Sequence, residues 1–145
     1  VSVEEAKYLL KVLDQGNIVN SNPSKHNFIL LVEDDPAIRD VVAELLELEG
    51  FSVKKSENGK VALMNLQTME NLPALILLDL MMPVMDGFEF REEQKKDARL
   101  ASVPVVVMSA DGRINAKMSK LDVSAYVKKP LDIDVFMKTI RDYVH

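Results

Sequence analysis

The sequence predicts an α/β fold: a doubly wound, five-stranded parallel sheet in the order 2-1-3-4-5, with helices on both faces and an N-terminal helical extension. Three observations carry this expectation. From Phe28 onward, strand-like runs alternate with segments of helical periodicity, giving five β-α units. The runs FILLV (28–32), ALILL (74–78) and VPVVVM (103–108) are almost wholly apolar, as expected of strands covered on both faces. Repeated β-α units also demand right-handed crossovers, and a unit of this size suits a single sheet whose ligands sit beyond the carboxyl ends of strands one and three.

Each element has its own signals. Ser2 and Glu5 have capping-box spacing, and Val3, Ala6, Leu10 and Leu13 form a helical stripe that Gly16 ends. Residues 17–27, NIVNSNPSKHN, are mostly polar and read as a linker, so the chain divides into a helix and linker (1–27) and a domain (28–145). After FILLV, Asp35 and Pro36 suit an N-cap and first helical position. Ile38, Val41, Val42, Leu45, Leu46 and Leu48 supply the stripe, and Gly50 stops it. FSVKK (51–55) is a more polar strand, suited to an edge, and Asn58-Gly59 opens a helix carrying Val61, Leu63, Met64 and Leu66. After ALILL, Asp86-Gly87 starts a helix through about Arg99. VPVVVM is strand four, a helix is expected near 112–121, and AYVK (125–128) is a short fifth strand. A last helix from about Asp132 should turn Val135, Phe136, Ile140, Tyr143 and Val144 inward.

Composition narrows the function. The 145 residues are 48% hydrophobic and 28% charged, which fits one domain with a full core. A net charge of −5 argues against direct nucleic-acid binding, which needs clustered Lys and Arg. The absence of cysteine excludes disulfides and thiolate metal sites. Apolar runs are far shorter than the roughly 20 residues that span a bilayer, so neither a membrane partner nor a signal peptide is expected, and the expected location is the cytoplasm. The start at Val1, with the leading helix and linker, suggests a piece of a longer protein.

If the topology holds, four strand ends meet on one rim: strand one ends in Glu33, Asp34 and Asp35, strand three in Asp79, strand four in Met108-Ser109, and strand five in Lys128-Lys129-Pro130. Neighbouring carboxylates repel one another unless a cation intervenes. Oxygen ligands without His or Cys favour a hard divalent ion such as Mg2+. A nucleotide or flavin site would instead need a Gly-rich or hydroxyl-rich loop after strand one, where this chain has Glu-Asp-Asp-Pro. A metal can bridge such an acidic loop to a phosphoryl group while Lys and Ser stabilise its oxygens. One carboxylate can then attack phosphorus and form an acyl phosphate.

LLVEDDPAIRD, LILLDLMMPVMDG, VVVMSA and YVKKP, in this order, resemble the receiver domain of two-component response regulators, a flavodoxin-like phosphoacceptor domain. The resemblance covers residues 28 to about 143 and implies a bacterial phosphorelay component. It implies that Asp79 is the phosphoacceptor and that Glu33, Asp34, Asp79 and the Met81 backbone carbonyl hold Mg2+ or Mn2+. It also assigns Ser109 as the switch hydroxyl, Lys129 as the phosphoryl contact, Tyr126 as the aromatic switch residue and Pro130 as a cis-peptide position. Met81 and Asp111 would flank the phosphoryl group and tune its lifetime. The acid pair is open between Glu33/Asp34 and Asp34/Asp35. The first is preferred because Asp35 precedes Pro36 and reads as a helix cap.

The partner implied is a sensor histidine kinase or histidine phosphotransfer protein. A homodimer or effector would engage the fourth helix, strand five and the last helix. The spacing from Ser109 to Lys129 is short for this family, so that fourth helix is expected to be short or irregular. The domain is not expected to be an enzyme beyond its own phosphorylation and dephosphorylation. An aspartyl-phosphate phosphatase of the haloacid-dehalogenase type would carry a second aspartate at position 81, where this chain has Met. A non-phosphorylated docking module is the other alternative, and the set Glu33, Asp34, Asp79, Ser109 and Lys129 argues against it.

Overall fold

A computed structural model describes residues 28–109, 123–128 and 132–144. The leading helix and linker, and the helix expected near 112–121, lie outside the described residues. The elements run β1(Phe28–Val32), α1(Pro36–Leu48), β2(Ser52–Ser56), α2(Gly59–Thr68), β3(Leu75–Asp79), α3(Gly87–Lys96), a one-turn α4(Ala98–Ala101), β4(Val105–Ser109), β5(Ala125–Lys128) and α5(Ile133–Tyr143). All neighbouring strands pair in parallel, in the order β2-β1-β3-β4-β5. The expected α/β architecture and strand order are therefore present.

The sheet splits the core. β1, β3 and β4 are buried along their whole length, so both faces of each are covered. Leu30, Val32, Ile76, Leu78, Val105 and Val107 face Ala62, Leu63 and Leu66 of α2 and Phe90 of α3. The alternate residues Ile29, Leu31, Leu75, Leu77, Val106 and Met108 face Val42 and Leu46 of α1 and Phe136, Met137 and Ile140 of α5. Complete burial of one such side chain contributes roughly 1.5–3 kcal/mol, so either face alone outweighs any surface ion pair.

The helices start where the sequence marks them. Asp35, Asn58, Asp86 and Asp132 cap α1, α2, α3 and α5, their side chains accepting backbone N–H bonds from the first turn. Gly87 is required by packing, because a Cβ there would lie 2.9 Å from Leu80 Cδ1 and 3.0 Å from Leu80 Cα. Its absence lets α3 begin directly against the loop that follows Asp79.

Three details differ from the sequence expectation. The helix expected to run to Arg99 breaks at Asp97, which ends α3 and caps α4. Val135 is exposed and Met137 is buried instead, since the inward stripe of α5 passes through Phe136, Met137 and Ile140. Met64 is also exposed, being turned away from the stripe formed by Ala62, Leu63 and Leu66.

Val84, 73% exposed, adopts φ = 71° in the loop between β3 and α3. A β-branched residue is strained in the left-handed region, whereas Asn enters it readily. Val84→Asn is therefore expected to raise stability by about 1 kcal/mol, read as a higher urea midpoint at unchanged slope. An unchanged or lower midpoint would show that the loop carries no such strain.

Candidate functional site

The carboxyl ends of β1, β3 and β4 converge on one rim, as parallel strands must when their registers align. Val32 pairs with Leu78 across β1 and β3, and Asp79 pairs with Met108 across β3 and β4. Glu33 therefore follows directly from the strand beside β3, and Ser109 lies one residue beyond the partner of Asp79. Glu33, Asp79 and Ser109 are all buried despite their polarity. Asp34 is more accessible to solvent.

Glu33, Asp34 and Asp79 each offer a carboxylate oxygen, and the three oxygens lie within 4.8 Å of one another. Two ligands each about 2.1 Å from a common ion are at most about 4.2 Å apart, so a small inward adjustment would let all three share one hard cation. The donor set is oxygen only, which suits Mg2+ or Mn2+ and not a thiophilic metal. Of the two acid pairs left open by sequence, Glu33/Asp34 lies at this cluster. Asp35 turns to α1, where its Oδ1 accepts from Ala37 N at 2.9 Å and Ile38 N at 3.3 Å.

The loop after Asp79 folds back on it. Met81 N–H donates to Asp79 Oδ1 at 3.3 Å, while the Met81 side chain is exposed beside the site. Leu80 N–H donates to Met108 O at 3.0 Å and Gly87 N–H donates to Leu80 O at 2.8 Å, tying the loop to β4 and α3. On β5, Tyr126 pairs with Val107 and is partly open to solvent, and Lys128 pairs with Ser109 at the rim. Lys129, Pro130 and Asp111 lie outside the described residues.

Sequence reasoning missed two neighbours of Glu33. Its N–H donates to Ser56 O at the end of β2, at 3.1 Å. Its carbonyl accepts from Arg39 Nη1 on α1 at 2.9 Å. Both contacts use backbone groups of Glu33, so no pairing of side-chain types announced them.

The sequence matches a known family. The model of the response regulator receiver domain matches residues 29–141. The chain belongs to that family. Receiver domains are the phosphoacceptor modules of two-component signalling, and they generally bind Mg2+ through acidic residues. This receiver is 37% identical over 118 residues to the DNA-binding dual master transcriptional regulator RpaA of Synechocystis sp., a match covering 78% of this chain and 47% of the relative. It is 31% identical over 116 residues to Protein PilH of Pseudomonas aeruginosa, covering 77% of this chain and 93% of the relative. The receiver spans about half the length of RpaA and of the Synechocystis response regulator Rre1. Among solved structures, the signal receiver domain of a Syntrophus aciditrophicus histidine kinase superposes with a TM-score of 0.74 at 24% identity, covering 81% of this chain and 89% of that one. That likeness concerns the fold. Among the described residues, no helix is long and apolar enough to cross a membrane.

Proposed function

We propose that this receiver accepts a phosphoryl group on Asp79 in an Mg2+-dependent reaction, from a phosphohistidine on a sensor histidine kinase or histidine phosphotransfer protein. The observation that carries the reading is the buried Asp79 carboxylate with oxygens of Glu33 and Asp34 within 4.8 Å. An Asp79 oxygen attacks phosphorus, the P–N bond to the donor imidazole breaks with its electron pair remaining on nitrogen, and an acyl phosphate results. A divalent cation held by Glu33, Asp34, Asp79 and the Met81 carbonyl would offset negative charge on the phosphoryl oxygens. Ser109 and Lys129 bind those oxygens, and Tyr126 follows the movement of Ser109. The product then shifts the surface of β4, β5 and α5, together with the segment between Ser109 and β5, toward a dimer or effector-binding state. The receiver acts in the cytoplasm on a protein partner rather than on nucleic acid. The Met81 side chain and Asp111 flank the phosphoryl group and set how long it persists.

Incubating the chain with a small acyl-phosphate donor and Mg2+ is expected to add one phosphoryl group, seen by intact mass. Chelation should stop the addition. Asp34→Asn should weaken Mg2+ affinity, raising the Mg2+ needed for half-maximal labelling by at least the tenfold that loss of even an outer-shell partner costs. Labelling that ignores both chelator and Asp34→Asn would overturn the metal-dependent reading.

A further inference from the structure

We propose that Arg39 is a positioning residue for the metal-binding acids, acting through the backbone of Glu33. The inference rests on the metal-dependent reading above. Arg39 is the fourth residue of α1, near the positive end of the helix, whose first turn holds no acidic residue beyond the Asp35 cap. Its half-buried guanidinium donates to the Glu33 carbonyl at 2.9 Å. On the other side of the same residue, the Glu33 N–H is held by Ser56 O at 3.1 Å. With both flanking peptide groups fixed, the backbone angles of Glu33 have little freedom, and its buried side chain can take few directions. The fixed carbonyl belongs to the peptide that leads into Asp34. The Arg39 contact therefore aims both acids at Asp79. Asp35 closes the loop by capping α1, so the β1–α1 connection is held at Glu33 and Asp35, on either side of Asp34.

Two effects of removing Arg39 oppose each other, which makes the proposal decidable. Deleting a positive charge near three carboxylates should tighten binding of a divalent cation by Coulomb's law. Releasing the Glu33 peptide should weaken it, as loss of an outer-shell hydrogen bond does. Positioning predicts that the second effect wins.

The test is a titration of the metal-free chain with Mn2+, followed by electron paramagnetic resonance, with the metal-free urea midpoint of every variant measured alongside. Arg39→Gln is expected to weaken Mn2+ binding about tenfold. Arg39→Met, which keeps the aliphatic stem and its packing, should do the same and decides the matter if Arg39→Gln is unfolded. Arg39→Lys, which retains charge and a donor, should recover part of the affinity. Folded Arg39→Gln or Arg39→Met protein that binds Mn2+ as tightly as wild type, or more tightly, overturns the proposal. Asp34→Asn separates the two levels of inference. Wild-type binding that Asp34→Asn removes and Arg39→Gln leaves intact refutes positioning by Arg39 alone. A wild-type chain that takes up no Mn2+ refutes the metal reading and this proposal with it.

Discussion

Asp79→Asn is expected to reduce phosphoryl labelling to background while leaving the fold intact. An amide has no anionic oxygen with which to attack phosphorus, and it forms no acyl phosphate. The fold should survive because Asn has the same shape, and its amide oxygen can still accept the Met81 N–H that Asp79 Oδ1 accepts at 3.3 Å. Asp79→Glu is the informative companion. It keeps the charge but extends the carboxylate by one methylene at the end of a rigid, fully paired strand. Misplacing a reacting group by about 1 Å can cost on the order of a hundredfold, so labelling should fall by about that factor. Intact mass after acyl-phosphate treatment, with a urea titration of each variant, checks both. Asp79→Asn protein that labels as well as wild type would remove Asp79 as the acceptor.

The largest effect on stability is expected far from that rim, at Gln94→Glu. Gln94 is 0% exposed, and all of its amide is used. Its Oε1 accepts from Arg91 Nη1 at 2.9 Å, and its Nε2 donates to Leu100 O at 2.9 Å and Val103 O at 3.2 Å. One side chain thus stitches α3, α4 and the approach to β4 together. A carboxylate of the same size turns an acceptor toward those two carbonyls and leaves both without their donor. Allowing for attraction to Arg91, the loss should be about 3 kcal/mol at neutral pH. The new carboxyl should have a folded-state pKa above its unfolded value of about 4.3, because burial and facing carbonyls favour the proton. Protonation restores one O–H donor. The folded variant thus holds a proton that the unfolded chain has released, and its stability relative to wild type declines as pH rises above the unfolded value. Urea midpoints at pH values on either side of that value should show a smaller deficit on the acid side. A deficit that is flat with pH would indicate that the residue 94 side chain has left the buried position.

Much of the fold was legible because the chain states it twice, in hydropathy and in caps. The strand limits show where such reading stops. Sequence closed the strand-like runs at Lys55, Leu78 and Met108, and set Asp79 and Ser109 at the strand ends without counting them in the runs. In the structure the strands continue through Ser56, Asp79 and Ser109. Ladder hydrogen bonds belong to the backbone, so a parallel strand persists under a polar side chain that hydropathy reads as loop. These extra residues include two of the site residues. The site was legible where side chains of one chemical kind gather, as with Glu33, Asp34 and Asp79. It was not legible where a side chain serves a distant carbonyl, as Arg39 and Gln94 do, since every residue offers a carbonyl and sequence cannot say which is free. Arg99 is a further case, its guanidinium reaching Leu66 O, Met69 O and Glu70 O at the end of α2. Val84 escaped for the opposite reason, because a β-branched residue is the last that pattern would put at positive φ.

The sheet that divides the core also divides the chain's freedom to change. Leu77 and Leu78 are adjacent in sequence, yet they belong to different packing problems. Substitutions such as those at Leu46 beneath α1 and Leu66 beneath α2 share no side-chain neighbours, so their energetic effects should add with little coupling. Natural drift in the helices on one side then requires no compensating change on the other. The helices on either face can diversify in this way while the strands between keep the three acids in register.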